Sequence, residues 1–256
     1  MEILVVGAGA MGRWFGTVLQ ESGPESAHIS FCDTDRATAV AAADAVDGAA
    51  VTPGAARDAD LVCIAVPIPA ATEAIERYGE YARQAIVDLT GTMEQPLAAM
   101  ESAAPACERA SLHPLFAPEN EPGNIPTVVD ESGPTVDAVL TALRDRGNDV
   151  FETTASRHDE LMETVQARTH TAVLAFALAG EAVPEQYQTP ISAGLADLAD
   201  QVIDGEARVY ADIQTAFDGA EDIADAAAEI ADADRKTFEK LYEQAKAART
   251  AGDDES

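Results

Sequence analysis

The sequence predicts an α/β protein in which a doubly wound parallel sheet is followed by an all-helical domain. Three observations predict it. Short apolar runs alternate with helical stretches up to residue 153, a glycine-rich turn comes directly after the first run, and the strand signal then stops.

The first run, Ile3 to Val6, is apolar throughout, as in a strand covered on both faces. Gly7-Ala8-Gly9-Ala10-Met11-Gly12 comes next without a gap and opens a helical stretch, Met11 to Leu19, that stops at Ser22-Gly23-Pro24. Ile29 to Cys32, Leu61 to Val66 and Ile86 to Leu89 repeat the strand signature, each bounded by Gly, Pro or Asp. The last strand-like segment is Asn148 to Thr153. Beyond it Leu161, Val165, Ala172, Val173 and Phe176 keep helical spacing on one long segment, His158 to Ala179, and Pro184 and Pro190 interrupt the chain after Ala179. The reading is a nucleotide-binding domain over residues 1–154 and a helical substrate and dimerisation domain over 155–256. Gly252 to Ser256 should fray. The helical domain is rich in alanine, so its long first helix is expected to find part of its burial in a second copy of the chain.

The composition narrows the function. In 256 residues, 46 Asp and Glu oppose 16 Lys and Arg, for a net charge of -30. Counterion release from nucleic acid needs a Lys/Arg population that this chain lacks, and an anionic membrane would repel it. With 47% hydrophobic residues a globular core is expected. No run approaches about 18 apolar residues, and no basic segment precedes Ile3, so neither a membrane span nor a signal peptide is expected and the protein reads as cytoplasmic. Cys32, Cys63 and Cys107 have no metal-type spacing and read as free thiols, two of them in strand-like runs. The only lysines are Lys236, Lys240 and Lys246. This lysine-poor, carboxylate-rich composition is similar to that of proteins from salt-accumulating halophiles, in which salt screens self-repulsion.

The glycine turn carries the first chemistry. Gly7 suits the tight turn, Gly9 the close approach of backbone to a pyrophosphate and Gly12 the packing of helix on strand, with Met11 in the first helical turn. Asp33 closes the second strand, where a carboxylate accepts hydrogen bonds from an adenosine ribose and repels a 2′-phosphate. NAD is therefore favoured, although Arg36 close behind leaves NADP open. Val66 and Pro67, at the end of the strand that starts at Leu61, are further cofactor-side candidates.

Beyond this Rossmann-type fingerprint the chain resembles the prephenate/arogenate dehydrogenases of tyrosine biosynthesis. The resemblance runs through Gly7 to Gly16, Asp88-Leu89-Thr90 with Pro96-Leu97 and Met100, Ser111-Leu112-His113-Pro114-Leu115-Phe116-Ala117-Pro118, His158-Asp159 with Met162, Val165-Gln166 and His170, and Tyr210 to Gln214. It implies an oxidative decarboxylation in which hydride leaves ring C4 for the nicotinamide, the C4 hydroxyl gives up its proton and the ring carboxylate departs as CO2. It implies that His113 accepts the hydrogen bond from that hydroxyl, and a neutral imidazole is a competent base at neutral pH. It places His158 and Gln166 towards the substrate, with His170 and Tyr210 as further candidates.

Two departures from the family pattern matter. The segment from Asp88 holds Gly91 and Met93 where relatives carry serine and lysine, so Thr90 or Thr92 is expected to supply the hydroxyl. The helical domain carries Ala193 and Gln201 where relatives hold the substrate's carboxylates with arginines, and Arg168 and Arg208 are the nearest replacements. His158 and His170, twelve residues apart on one helix, would stand about 18 Å apart along its axis and cannot share an ion, so no metal site is read. Asp159 is read as complementing the dipole of its own helix. The expectation is an NAD-dependent prephenate dehydrogenase, with arogenate dehydrogenase, a Rossmann oxidoreductase for another substrate and a non-catalytic NAD-binding regulator as alternatives.

Overall fold

The computed structural model describes residues 1–23, 27–55, 58–181 and 183–252. The chain divides into two compact units, Met1–Met162 with Ala211–Ala216, and Glu163–Tyr210 with the chain from Phe217 onward.

The first unit is built on one eight-stranded sheet. Its strands are β1 (Glu2–Val6), β2 (His28–Cys32), β3 (Ala49–Val51), β4 (Ala59–Ile64), β5 (Ala82–Asp88), β6 (Glu108–Leu112), β7 (Asn124–Glu131) and β8 (Asp149–Glu152). The order β3-β2-β1-β4-β5-β6-β7-β8 is parallel except between β6 and β7. The chain winds outward from β1 in one direction and from β4 in the other, so the switch point, where such sheets bind ligands, lies between β1 and β4. All four apolar runs form strands, and β3, β6, β7 and β8 complete the sheet. The antiparallel β7 carries Pro126 inside an otherwise apolar stretch, which hides it from a search for continuous apolar runs.

The helices of this unit are α1 (Ala10–Ser22), α2 (Arg36–Ala45), α3 (Ala71–Tyr78), α4 (Glu94–Ala103), α5 (Pro134–Asp145) and α6 (Ala155–Met162). The helix expected over Met11 to Leu19 is thus α1, closed by the Gly23 N–H on the Leu19 carbonyl. Pro24, of the expected stop, lies outside the described residues.

Strand periodicity explains why the apolar runs are continuous. Ile3, Val5, Leu61, Cys63, Ala85 and Val87 join one core with Phe15, Phe31 and Leu143, whereas Leu4, Val6, Val62, Ile64 and Ile86 join another with Ile75 and Met100. Alternate residues of each strand therefore serve opposite faces, and both faces are buried. Each fully buried aliphatic side chain contributes about 1.5–3 kcal/mol. The three cysteines are buried free thiols.

The second unit is helical among its described residues. It contains a π-helical turn (Glu163–Arg168), α7 (Thr169–Ala179), α8 (Pro190–Ile203), α10 (Ala220–Asp232) and α11 (Arg235–Gly252), while α9 (Ala207–Ala216) spans the two units. Thr189 caps α8 in a reciprocal pair with Ser192, ahead of Pro190 at the first helical position. The segment His158 to Ala179, expected as one regular helix, is divided among α6, the π turn and α7. The domain boundary expected after residue 154 compares with a compact unit that runs on to Met162. Of the tail expected to fray, residues 253–256 lie outside the described residues.

Candidate active site

The glycine turn has the shape that a dinucleotide needs. Gly7 sits at φ +95°, and a Cβ there would meet the Ala65 carbonyl oxygen at 2.2 Å. A Cβ on Gly12 would meet the Gly7 carbonyl oxygen at 2.0 Å, so both positions exclude any side chain. A Cβ on Gly9 would meet nothing within 4 Å, which leaves open space over the turn. The N-terminus of α1 has no side-chain cap and no acidic residue in its first turn, so its backbone N–H groups suit a phosphate. Met11, in that turn, is partly buried against the core. A Val66 methyl lies 3.1 Å from the position of a Gly7 Cβ, and Pro67 caps a short 3-10 turn next to it.

Asp33 stands beside this turn and braces it. Its Oδ2 accepts the Ala8 N–H at 2.8 Å and its Oδ1 the Asp35 N–H at 2.8 Å. Oδ1 also accepts the Thr34 hydroxyl at 3.4 Å, and Oδ2 keeps a lone pair for a ribose hydroxyl. The neighbouring Asp35 caps α2, its two oxygens engaged by the Ala37 N–H and the Thr38 hydroxyl. Asp33→Ala should therefore weaken NAD by about tenfold, the loss of a hydrogen bond to a charged group, and improve the relative use of NADP. Paired titrations of the two cofactors check this, and an unchanged preference would place the discriminating charge elsewhere.

The second cluster lies where β5 and β6 end. The His113 N–H donates to the Pro126 carbonyl of β7 at 3.1 Å, which fixes the backbone directly after β6. The ring is buried, with Nδ1 2.9 Å from Nε2 of His158, the two rings edge to face. Nδ1 of His158 is in turn 2.7 Å from Asp159 Oδ1. Burial, reinforced by the His158 ring, pushes the His113 pKa down to about 3, against an opposing pull from Asp159. Asp159 also accepts the N–H groups of Met93 and Glu94 at 3.0 and 3.1 Å. It therefore complements the N-terminus of α4 rather than that of its own helix, contrary to the reading from sequence.

Asp88, one strand over, pairs in register with Ser111 and is fully buried. Its Oδ1 accepts the Thr90 N–H at 2.9 Å and the Thr90 hydroxyl at 2.6 Å. Asp88 Oδ2 and Ser111 Oγ make no hydrogen bond in the described structure; the hydroxyl is near enough to favour the carboxylate slightly but lies outside bonding geometry. Burial pushes the Asp88 pKa up to about 7 against the Thr90 hydroxyl and amide. The Thr90 hydroxyl thus donates to Asp88, while Thr92 enters through its carbonyl, which accepts from Thr90 at 3.2 Å.

These two shifts act on stability in opposite directions. Native Asp88 keeps a proton that the unfolded chain releases, so its contribution is whole below its ordinary pKa of 3.8 and is lost as pH rises through about 7. Native His113 refuses a proton that the unfolded chain takes, so its contribution is whole above 6.5 and is lost as pH falls towards about 3. Asp88→Asn keeps an acceptor for Thr90 and removes only the first dependence. Between pH 4 and pH 8 the parent should lose on the order of 4 kcal/mol relative to this variant in denaturant melts. A difference independent of pH would show that Asp88 is ionised throughout.

The remaining candidates belong to the second unit, except His158. Arg168 does not present an open guanidinium: it donates to Asp222 at 2.8 Å, Thr164 at 2.8 Å and Glu163 at 3.3 Å. Its charge is neutralised locally by these two carboxylates. Arg208 pairs with Glu206 at 3.5 Å. His170 packs edge to face on Tyr210, ring centres 4.9 Å apart, and partial burial lowers its pKa. Gln166 lies in the π turn with its Oε1 buried.

Comparison with known proteins supplies the lineage. Residues 15–165 match the family described as prephenate dehydrogenase, nucleotide-binding domain. A 4-amino-4-deoxyprephenate dehydrogenase of Streptomyces pristinaespiralis is 36% identical over 242 residues, covering 85% of this chain and 78% of the relative. A probable arogenate/prephenate dehydrogenase of Methanocaldococcus jannaschii is 24% identical, and the match spans 82% of this chain but half of that protein. In fold, the chain is similar to the prephenate dehydrogenase of Aquifex aeolicus solved with hydroxyphenyl propionate and NAD+, at a TM-score of 0.70 and 17% identity, covering 100% of this chain and 98% of the other. Synechocystis arogenate dehydrogenase is similar at 0.62 and 16%, covering 98% and 99%. A nucleotide-binding family match over more than half the chain, joined to a relative above one-third identity, means that this chain belongs to the prephenate dehydrogenase family and is an NAD-dependent dehydrogenase.

Proposed function

We propose that the protein oxidatively decarboxylates prephenate to 4-hydroxyphenylpyruvate in tyrosine biosynthesis, with His113 as the proton acceptor. The observation that carries the reading is a buried imidazole, kept neutral, at the carboxyl edge of the sheet that also bears the open glycine turn. Gly7, Gly9, Met11 and Gly12 would hold the pyrophosphate, Asp33 the ribose, and Val66 with Pro67 the neighbouring wall of the cofactor site. NAD supplies a two-electron acceptor for the hydrogen on ring C4. His113 takes the C4 hydroxyl's hydrogen bond and its proton while C4 is oxidised. As CO2 leaves the ring and aromaticity forms, the proton returns to that oxygen, so substrate and cofactor yield product, CO2 and reduced cofactor in balance.

Arg168 and Arg208 are proposed as the replacement clamps, Arg168 paired with Asp222 and Glu163 and Arg208 with Glu206 until a substrate carboxylate competes. Gln166, His170 and Tyr210 are proposed as further substrate-side residues, and His158 acts through His113. The exposed Leu178, Tyr187, Ile191 and Ile203 of the second unit support a homodimer, which light scattering at molar salt would register as twice the chain mass.

A second reading is favoured by the Streptomyces relative, whose name places an amino group where prephenate has its C4 hydroxyl. The experiment that decides is NAD reduction with prephenate, arogenate and 4-amino-4-deoxyprephenate, each at molar salt. Turnover of prephenate above the other two supports the proposal. Turnover of the amino compound alone transfers it to the second reading, and turnover of none removes both.

A further inference from the structure

We propose that His158 and Asp159 are positioning residues that fix the tautomer of His113 and receive the proton displaced from it, a relay that rests on reading His113 as the proton acceptor. The hydrogen-bond pattern assigns each hydrogen in turn. Asp159 accepts from the Met93 and Glu94 backbone N–H groups, and a carboxylate so used has only lone pairs to offer His158. The hydrogen of a neutral His158 therefore sits on Nδ1, 2.7 Å from Asp159 Oδ1, and its Nε2 is an acceptor. Only His113 Nδ1, 2.9 Å away, can supply the hydrogen that this acceptor needs. His113 is thereby held with hydrogen on Nδ1 and the lone pair on Nε2. That nitrogen is on the side of Gly91, where a Cβ would stand 3.6 Å from it, an ordinary contact distance.

The same chain of bonds resolves a chemical difficulty. An imidazole buried among these groups holds a proton poorly, yet the reaction asks it to accept one. In the relay, the O–H bond of the substrate breaks as the Nε2–H bond of His113 forms. The Nδ1–H bond of His113 breaks as an Nε2–H bond forms on His158. The positive charge then rests on His158, with Asp159 already in contact, and His113 stays neutral. Returning the proton to the product oxygen reverses both transfers. Asp88, a further titratable group at this edge, is bonded by Thr90, and the Asp159 charge adds to the burial that holds its pKa up.

The test combines a spectroscopic signature with kinetics. The chain has four histidines, so the protein labelled with 15N-histidine gives few ring signals, assignable with His28→Gln and His170→Gln. His113 should show hydrogen on Nδ1 and not on Nε2. In Asp159→Asn, an amide that donates to His158 Nδ1 should invert both tautomers. In His158→Gln, the amide oxygen can still accept from His113 and keep its tautomer, but it cannot take up a proton. Both variants should lose kcat by about tenfold or more, with KM little changed, a share of what a positioned base contributes. A parent His113 with hydrogen on Nε2, or an Asp159→Asn protein turning over within about twofold of the parent, overturns the relay. If His113→Asn retains turnover, the proton-acceptor reading falls instead, and the parent's tautomer still reports on the relay separately, even if a variant fails to fold.

Discussion

His113→Asn should lower kcat by about 100-fold or more and leave KM nearly unchanged. Asparagine can still donate near the position of Nδ1, so the hydrogen bond to His158 is retained in kind and the buried pocket keeps a polar side chain. What it cannot provide is a basic lone pair in the place of Nε2. The loss therefore falls on the step in which the C4 hydroxyl gives up its proton and not on ground-state binding, which explains the split between kcat and KM. Because the ring is neutral from near-acid pH upward, the parent's kcat should also stay level between pH 5 and pH 7, where an ordinary histidine would be losing its base form. Steady-state kinetics across that range check both statements. An asparagine variant at near the parental rate would remove His113 from the chemistry.

The parts of this site that are legible in the sequence are those whose chemistry depends on local spacing. The glycine turn, the strand before it and Asp33 after β2 form one contiguous supersecondary unit, in which Gly7 and Gly12 are each required by a close backbone contact and Gly9 leaves open space over the turn. His113 is legible through the family resemblance that its block carries, and the structure puts that block directly after a strand ending at the ligand-binding edge of the sheet. Asp159 is different: its carboxylate reaches the N-terminus of α4, 65 residues earlier in the chain, and nothing in the His-Asp adjacency encodes that partner. Arg168 looks like an available cation until its pairing with Asp222, 54 residues later, is seen. Thr90 offers a hydroxyl in the right neighbourhood, and only the buried Asp88 carboxyl shows where that hydroxyl is spent. The pairing of polar side chains, long-range for Asp159 and Arg168 and local for Thr90, is what sequence patterns leave open.

Lowering the salt should melt the second unit first and abolish activity with it, and molar salt should restore both. Its core is small: among the described residues only Ala167, Val173, Ala199 and Phe217 are buried apolar side chains, and α10 buries none. Against that stand dense like charges. Helix α10 carries Glu221, Asp222, Asp225, Glu229 and Asp232 with no Lys or Arg among its residues, and Glu221 to Asp225 and Asp225 to Glu229 are spaced at i,i+4, each destabilising by about 0.2–0.5 kcal/mol. The ion pair of Arg168 with Asp222 offsets one of these charges and leaves the rest facing each other. At ~0.01 M salt the Debye length is about 30 Å, so every carboxylate of the unit repels every other; near 1 M it is about 3 Å and only adjacent pairs interact. The first unit has two full cores on its sheet and should outlast this loss. Circular dichroism and amide hydrogen exchange during dialysis from molar salt to dilute buffer should show helix signal and protection disappearing from residues beyond Glu163 while the strands of the first unit remain protected. Unchanged melting and full activity in dilute buffer would mean that burial, including burial against a second copy, outweighs the -30 charge without screening.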